Sequence, residues 1–191
     1  MIENKNTKDF EFTKKNLEQV KKIFSKYPDD QKVSAVMPLL DLAMRQIGGW
    51  VTESAIKHIS SMLNIPFIRA YEVASFYSMF NLEPIGKNFI QICTTTSCWL
   101  RGSDNILEVC KKHLNIENNQ TTKDGLFTLK EVECLGACVN APMVQINDNY
   151  YEDLDEDSFK KLLTNLKQSK EITKGSQIGR QTSHPQRDKN A

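Results

Sequence analysis

Five cysteines are the residues of this chain with distinctive chemistry, and four of them form two closely spaced pairs. Cys93 and Cys98 make C-x4-C, and Cys134 and Cys138 make C-x3-C. Cys110 stands apart at an apolar position of a helical pattern, where a free thiol serves as a small core residue. An odd count without an export signal is poor material for a disulfide framework. Metal or redox chemistry is the leading question. Four thiolates can close a tetrahedron around structural zinc, although all-cysteine zinc knuckles usually show two-residue gaps. Gaps of four and three make wider loops, suited to a group larger than one ion. Four cysteinyl sulfurs are also the normal cage for two irons and two sulfides. Spacing alone puts an iron–sulfur cluster first and leaves zinc and unlinked thiols open.

The loop contents favour the cluster. Thr94, Thr95, Thr96 and Ser97 can aim N–H and hydroxyl groups at sulfur. Gly136, beside Ala137, is expected to let the second loop approach closely without a side-chain clash. Trp99, Leu100, Leu135 and Ala141 are expected to shield the site, and burial and N–H···S bonds both tune cluster potential. Asp124, Glu131 and Glu133 flank the second loop in sequence, against Arg101 beside the first. Negative neighbours disfavour an added electron, so a low potential is expected.

Composition narrows the function classes. The 191 residues carry 25 Lys plus Arg and 24 Asp plus Glu, a net charge of +1. That balance argues against binding dominated by nucleic-acid phosphates or an anionic membrane surface. No apolar run approaches the roughly 18 residues of a spanning helix. Met1 to Phe12 mixes acids, bases and amides, so neither a secretory nor a mitochondrial targeting segment is expected. There is no G-x-G-x-x-G, no G-x-x-x-x-G-K-[ST] and no Ser-His-Asp or Cys-His arrangement. His58, His113 and His184 are expected to be solvated surface residues. A one-electron centre without a hydride-accepting site needs a partner that holds flavin or another donor.

The elements that must position the cysteines follow from periodicity. A flexible N-terminus, 1–12, precedes a helical domain, 13–82. Leu17, Val20, Phe24 and Tyr27 share one helix face, and Pro28 stops that helix. Ser34 is the expected next N-cap, with Pro38 in the first turn and Gly48-Gly49 at the end. Thr52 caps a third helix, with Ala55, Ile56, Ile59 and Leu63 inside, and Asn64 ends it. Pro66 opens a fourth, expected to bury Ile68, Val73, Phe76 and Phe80. The second half, 83–167, reads as strand, helix, strand, strand, helix. Its strands are Asn88 to Cys93, Leu126 to Cys134 and Pro142 to Ile146, the last continuing through a turn at Asn147-Asp148-Asn149. Ile106, Leu107, Cys110 and Leu114 mark the first helix of this half; Phe159, Leu162, Leu163 and Leu166 mark the second, capped by Asp155. The fold class is therefore α+β, a four-helix unit followed by a small sheet with helices packed on it. The tail, 168–191, is net +3 while the rest is net −2, and it has too few apolar residues for a core.

Three stretches carry a resemblance. Cys93-Thr-Thr-Thr-Ser-Cys-Trp-Leu-Arg-Gly102, Asp124-Gly-Leu-Phe127 and Glu133-Cys-Leu-Gly-Ala-Cys-Val-Asn-Ala-Pro142 resemble the thioredoxin-like two-iron ferredoxin component of respiratory complex I, NADH:quinone oxidoreductase. Tyr27-Pro28, Ser34-Ala35, Pro38-Leu39-Leu40, Gly48-Gly49-Trp50 and Phe76-Tyr77 are similar to the helical region of that family. The resemblance runs from about Phe12 to Leu166. It implies a thioredoxin-like second domain in which Cys93, Cys98, Cys134 and Cys138 ligate one [2Fe-2S] cluster. It also implies a partner, the NADH- and FMN-binding flavoprotein subunit, alongside other peripheral-arm subunits. The cluster would exchange single electrons with that flavin, from a position off the main chain of clusters toward quinone. The tail from Thr173 to Pro185 resembles an extended tail that lies along the flavoprotein, which points to ordering on a partner.

The implied location is the cytoplasmic face of a bacterial inner membrane, peripheral and without insertion, or the matrix side for a mature mitochondrial form. Met44 departs from the family, where Gln is frequent. The alternative implied by the resemblance is the same module in the diaphorase part of a soluble NAD-reducing hydrogenase or formate dehydrogenase. A helix-turn-helix reading of Val51 to Phe80 fails on charge, because Arg69 is the only base of the second helix and Glu72 opposes it.

Overall fold

The structure is a computed structural model and describes residues 9–183. His184 and the remainder of the basic tail lie outside the described residues. The chain divides into two compact units, 1–84 and 85–191.

The first unit contains four α-helices: α1 (Lys14–Phe24), α2 (Val36–Ile47), α3 (Glu53–Met62) and α4 (Phe67–Phe76). Thr13 caps α1 through a hydrogen bond from Asn16 N, and Thr52 caps α3 through one from Ala55 N at 3.1 Å. A 3-10 stretch, Asp29–Ala35, leads directly into α2, so Ser34 lies inside a turn and does not cap that helix. Leu39, Leu40, Ala43, Ala55, Ile56 and Ile59 form a solvent-free core. Two expectations change here. α4 buries Ala70 and Ala74, while Ile68 and Phe76 are exposed at 55% and 80%. α4 is apolar on several sides, and small residues four apart permit the closer approach of helix backbones. His58 is half-buried against the rings of Phe10 and Phe12, at centroid distances of 5.7 and 5.6 Å.

The second unit is built on a five-stranded sheet in the order β2-β1-β3-β4-β5. The strands are β1 (Asn88–Cys93), β2 (Phe127–Val132), β3 (Val144–Ile146), β4 (Asn149–Glu152) and β5 (Gly175–Ser176). β1 and β2 are parallel, with Asn88 beside Phe127 and Cys93 beside Val132. Such a pair needs a long crossover, supplied here by α5 (Thr96–Leu100) and α6 (Ser103–Leu114). β3 runs antiparallel to β1 and β4 antiparallel to β3, while β5 runs parallel to β4. α7 (Glu156–Lys167) starts with a capping box, in which Asp155 accepts from Ser158 N at 2.7 Å and Ser158 Oγ accepts from Asp155 N. Ile90, Ile92, Ile106, Phe127, Leu129, Phe159 and Leu163 fill the core, and Cys110 joins them at 0% exposure. Burial pushes the Cys110 thiol up to about 12, so it stays neutral.

Candidate metal centre

Parallel pairing decides where the cysteines go. β1 and β2 end at the same edge of the sheet, so both cysteine-bearing loops leave from that edge. Cys93 is the last residue of β1 and Cys98 lies in α5, one short helix later. Cys134 follows β2 by two residues, and Cys138 opens the 3-10 turn Cys138–Asn140. α5 packs on that turn, which brings the two loops together.

The pairs differ in environment. Cys93 and Cys98 are 2% and 1% exposed and pack with Ala137, Ala141 and Met143, flanked by Leu135 and Tyr150. Cys134 and Cys138 are both exposed, with their sulfurs 3.3 Å apart. Burial pushes the Cys98 thiol up to about 12, and the nearby Cys93 and Cys138 thiols add to this, while a backbone hydrogen bond from Met143 opposes it. The Cys134 thiol is lowered, first by the Gly136 backbone N–H, which lies 3.4 Å from its sulfur. The Cys138 thiol is raised, first by its hydrogen bond with Cys134 and then by that neighbour's charge.

Of the polar residues between Cys93 and Cys98, Thr95 and Ser97 lie beside sulfurs. The Thr95 hydroxyl lies 3.2 Å from Cys93 Sγ, and Ser97 hydrogen-bonds the Cys138 thiol. Tyr150 Oη donates to Leu135 O at 2.7 Å and ties the second loop to β4. The role of Gly136 is corrected. A Cβ there would meet nothing within 4 Å, but its φ of +83° is one that L side chains rarely adopt. Gly136 is needed for backbone conformation, which aims its N–H at Cys134, and space is not the constraint.

Other expectations shift as well. Trp99 and Leu100 are 56% and 70% exposed on the outer side of α5, so they do not cover the buried thiols. Ala141 and Leu135 do pack there, joined by Met143, Ala137 and Tyr150. Asp124 sits before β2 whereas Cys134 follows it, and the six-residue strand between them spans roughly 20 Å. Asp124 is engaged by Thr122 and Leu126 N, and Glu131 lies 4.0 Å from Lys111. Glu133 opposes the lowering of the Cys134 thiol through its negative charge.

Among the described residues, no three His, Cys, Asp or Glu side chains close around a single ion-sized point. The donor set is four thiols in an inner and an outer pair, with an apolar floor and N–H and hydroxyl donors beside the sulfurs. Those features fit a two-iron, two-sulfide group, which is larger than one ion and is held by cysteinyl sulfur.

Residues 20–167 match the thioredoxin-like [2Fe-2S] ferredoxin family. The chain belongs to that family. The E-type component of NADH-quinone oxidoreductase from Rickettsia prowazekii is 62% identical over 154 residues, covering 81% of this chain and 87% of the relative. The mitochondrial NADH dehydrogenase (ubiquinone) flavoprotein 2 of Dictyostelium discoideum is 53% identical over 171 residues, 90% of this chain and 69% of the relative. Among solved structures, a chain of an NAD+-reducing [NiFe]-hydrogenase superposes with a TM-score of 0.60 at 21% identity, over 68% of this chain. That alignment spans 23% of the hydrogenase chain and shows a shared fold.

Proposed function

We propose that this ferredoxin is the E-type component of an NADH:quinone oxidoreductase, and that Cys93, Cys98, Cys134 and Cys138 hold its single [2Fe-2S] cluster. The supporting observation is that two parallel strands end at one sheet edge and send both cysteine-bearing loops out from it, in a chain 62% identical to the rickettsial component of that enzyme. When bound, the cluster supplies one-electron transfer. The residues around it have separable tasks. Cys93 and Cys98 anchor the site to the core, where Met143, Ala137 and Ala141 exclude water. The Thr95 hydroxyl and the Gly136 N–H offset negative charge on the inner and outer sulfurs respectively. Cys134 and Cys138 open to the surface beside exposed Val139, with Trp99 and Leu100 exposed on α5. This apolar rim suits docking of the NADH- and FMN-binding flavoprotein subunit, with which single electrons are exchanged.

In this reading the chain has no NADH or flavin site of its own, consistent with its lack of a dinucleotide or phosphate-loop motif. It sits peripherally with the other hydrophilic subunits, on the cytoplasmic face of a bacterial membrane. No helix among the described residues is long and apolar enough to cross a membrane. The helical unit, 13–82, is assigned to contacts within that assembly. The shared fold supports a second reading, the same module in a soluble NAD-reducing hydrogenase. Co-purification of membrane-arm subunits separates the two.

The direct test is electron paramagnetic resonance of the dithionite-reduced protein, with iron and sulfide counts. Two irons and two sulfides per chain are expected, and Cys110→Ser should keep both the counts and the signal. A colourless zinc-loaded protein would overturn the assignment.

A further inference from the structure

The second cysteine loop is held by residues far along the chain. Arg180 donates through Nη2 to the carbonyl of Val139, the residue next to Cys138. The same guanidinium grips the Asp153 carboxylate, with Nε 2.9 Å from Oδ2 and Nη2 2.6 Å from Oδ1. Asn140, 2% exposed, completes the junction by donating to Asp153 Oδ2 at 3.1 Å and to Gln181 O at 2.8 Å. Its own carbonyl accepts from Asp153 N at 2.8 Å. The Cys138–Asn140 turn is thus clamped between the residue after β4 and the C-terminal segment.

That segment is itself anchored at both ends. Gly175 and Ser176 pair with Tyr151 and Glu152 of β4. Ser183 donates through N and Oγ to the carboxylate of Glu152, which is 0% exposed. Its two arms press together, since a Cβ on Gly175 would collide with Thr182. The described part of the tail therefore runs along this chain's own sheet.

We propose that residues 175–183 form a latch over the second cysteine loop, and that Arg180 is the positioning residue that sets the Cys138 side of the cluster cage. The proposal rests on the reading of Cys138 as a ligand. A planar guanidinium holds a carboxylate and a carbonyl at once, and a lysine ammonium cannot reproduce that fork. Displacing Val139 would move Cys138 in the chain next to it, whereas Cys93 and Cys98 would keep their packing.

The test uses the full-length holoprotein and its Arg180→Gln, Arg180→Lys and Ser183→Ala variants. Iron and sulfide content, the g values of the reduced cluster and the rate of iron loss to a ferrous chelator are measured, with thermal midpoints alongside. Arg180→Gln should lose iron about tenfold faster, the scale at which outer-sphere partners act on metal sites, and its g values should shift. Arg180→Lys should recover little of either effect. Ser183→Ala should accelerate loss by a smaller factor. Wild-type g values and loss rates in the Arg180 variants would overturn the latch, even if the thermal midpoint fell. If Arg180→Gln does not yield folded protein, Arg180→Lys and Ser183→Ala decide on the same readouts. A wild-type chain without iron and sulfide would instead refute the ligand assignment.

Discussion

The two cysteine loops are made from the same residue type at the same sheet edge, yet they are held in different ways. The first is an extension of the core: Cys93 closes a buried strand and Cys98 points into the apolar floor. The second is a surface loop whose thiols face solvent and whose shape depends on hydrogen bonds from Gly136, Tyr150 and Arg180. The inner pair is specified by packing, and the outer pair by polar geometry. Changes that remove volume should hurt the first, and changes that remove a donor or a charge should hurt the second.

The largest contrast is expected from the four proposed ligands. Cys93→Ser or Cys98→Ser should abolish the cluster signal and also destabilise the apoprotein by about 1–3 kcal/mol, because a hydroxyl replaces a buried thiol. Cys134→Ser should abolish the same signal while leaving the apoprotein's denaturant midpoint unchanged. Equal midpoints in all three variants would erase the distinction between the loops. Next is Met143→Ala. Met143 is 1% exposed beneath the inner pair, and its truncation should cost about 2–5 kcal/mol in chemical denaturation. A cost below about 0.5 kcal/mol would mean the floor is not packed as described.

The smallest effect is an acid response of the outer loop. The Arg180 guanidinium beside Asp153 holds its carboxyl below the usual carboxylate range. Its folded-state value is then lower than the unfolded value of about 4. The contribution to stability is complete above the unfolded value and lost as pH falls through the folded one. Hydrogen exchange at residues 139–140 and 175–183 should accelerate there beyond the intrinsic rate, ahead of residues 90–93. Simultaneous opening of both regions would contradict a separate acid-sensitive latch.

Much of the architecture was legible because local signals agreed with one another. The β1 residues stand out as an apolar run ending on a cysteine, and Asp155 with Ser158 marks the start of α7. The pairing of cysteines with strand ends was also readable, since each pair follows a β-patterned stretch. What sequence reasoning missed depended on distant partners. α5 is five residues long, too short for periodicity to reveal, and its formation turned Trp99 and Leu100 outward. β5 is a glycine and a serine, with strand character only through β4. Asp124 was placed near the cluster by sequence distance, which a strand converts into separation. Met143 was visible as an apolar strand residue, but nothing local marked it as the floor between two loops. Arg180 lies in a polar tail expected to order on a partner, and nothing local marks it as a contact of this chain's own second cysteine loop.

The parallel register of β1 and β2 has a consequence for how such sites drift and are recognised. Cys93 and Val132 are neighbours across the ladder, so the distance between the loops is set by strand spacing, roughly 4.8 Å. It is not set by the number of residues connecting them. The stretch from the end of α6 to Phe127 can take insertions at its exposed turns while the thiols stay in place, as long as residues 118–122 keep their hydrogen bonds to β2. The gaps within each pair have no such freedom, because every added residue would re-aim a sulfur. A search for related centres should therefore fix the two short intervals and let the long one float.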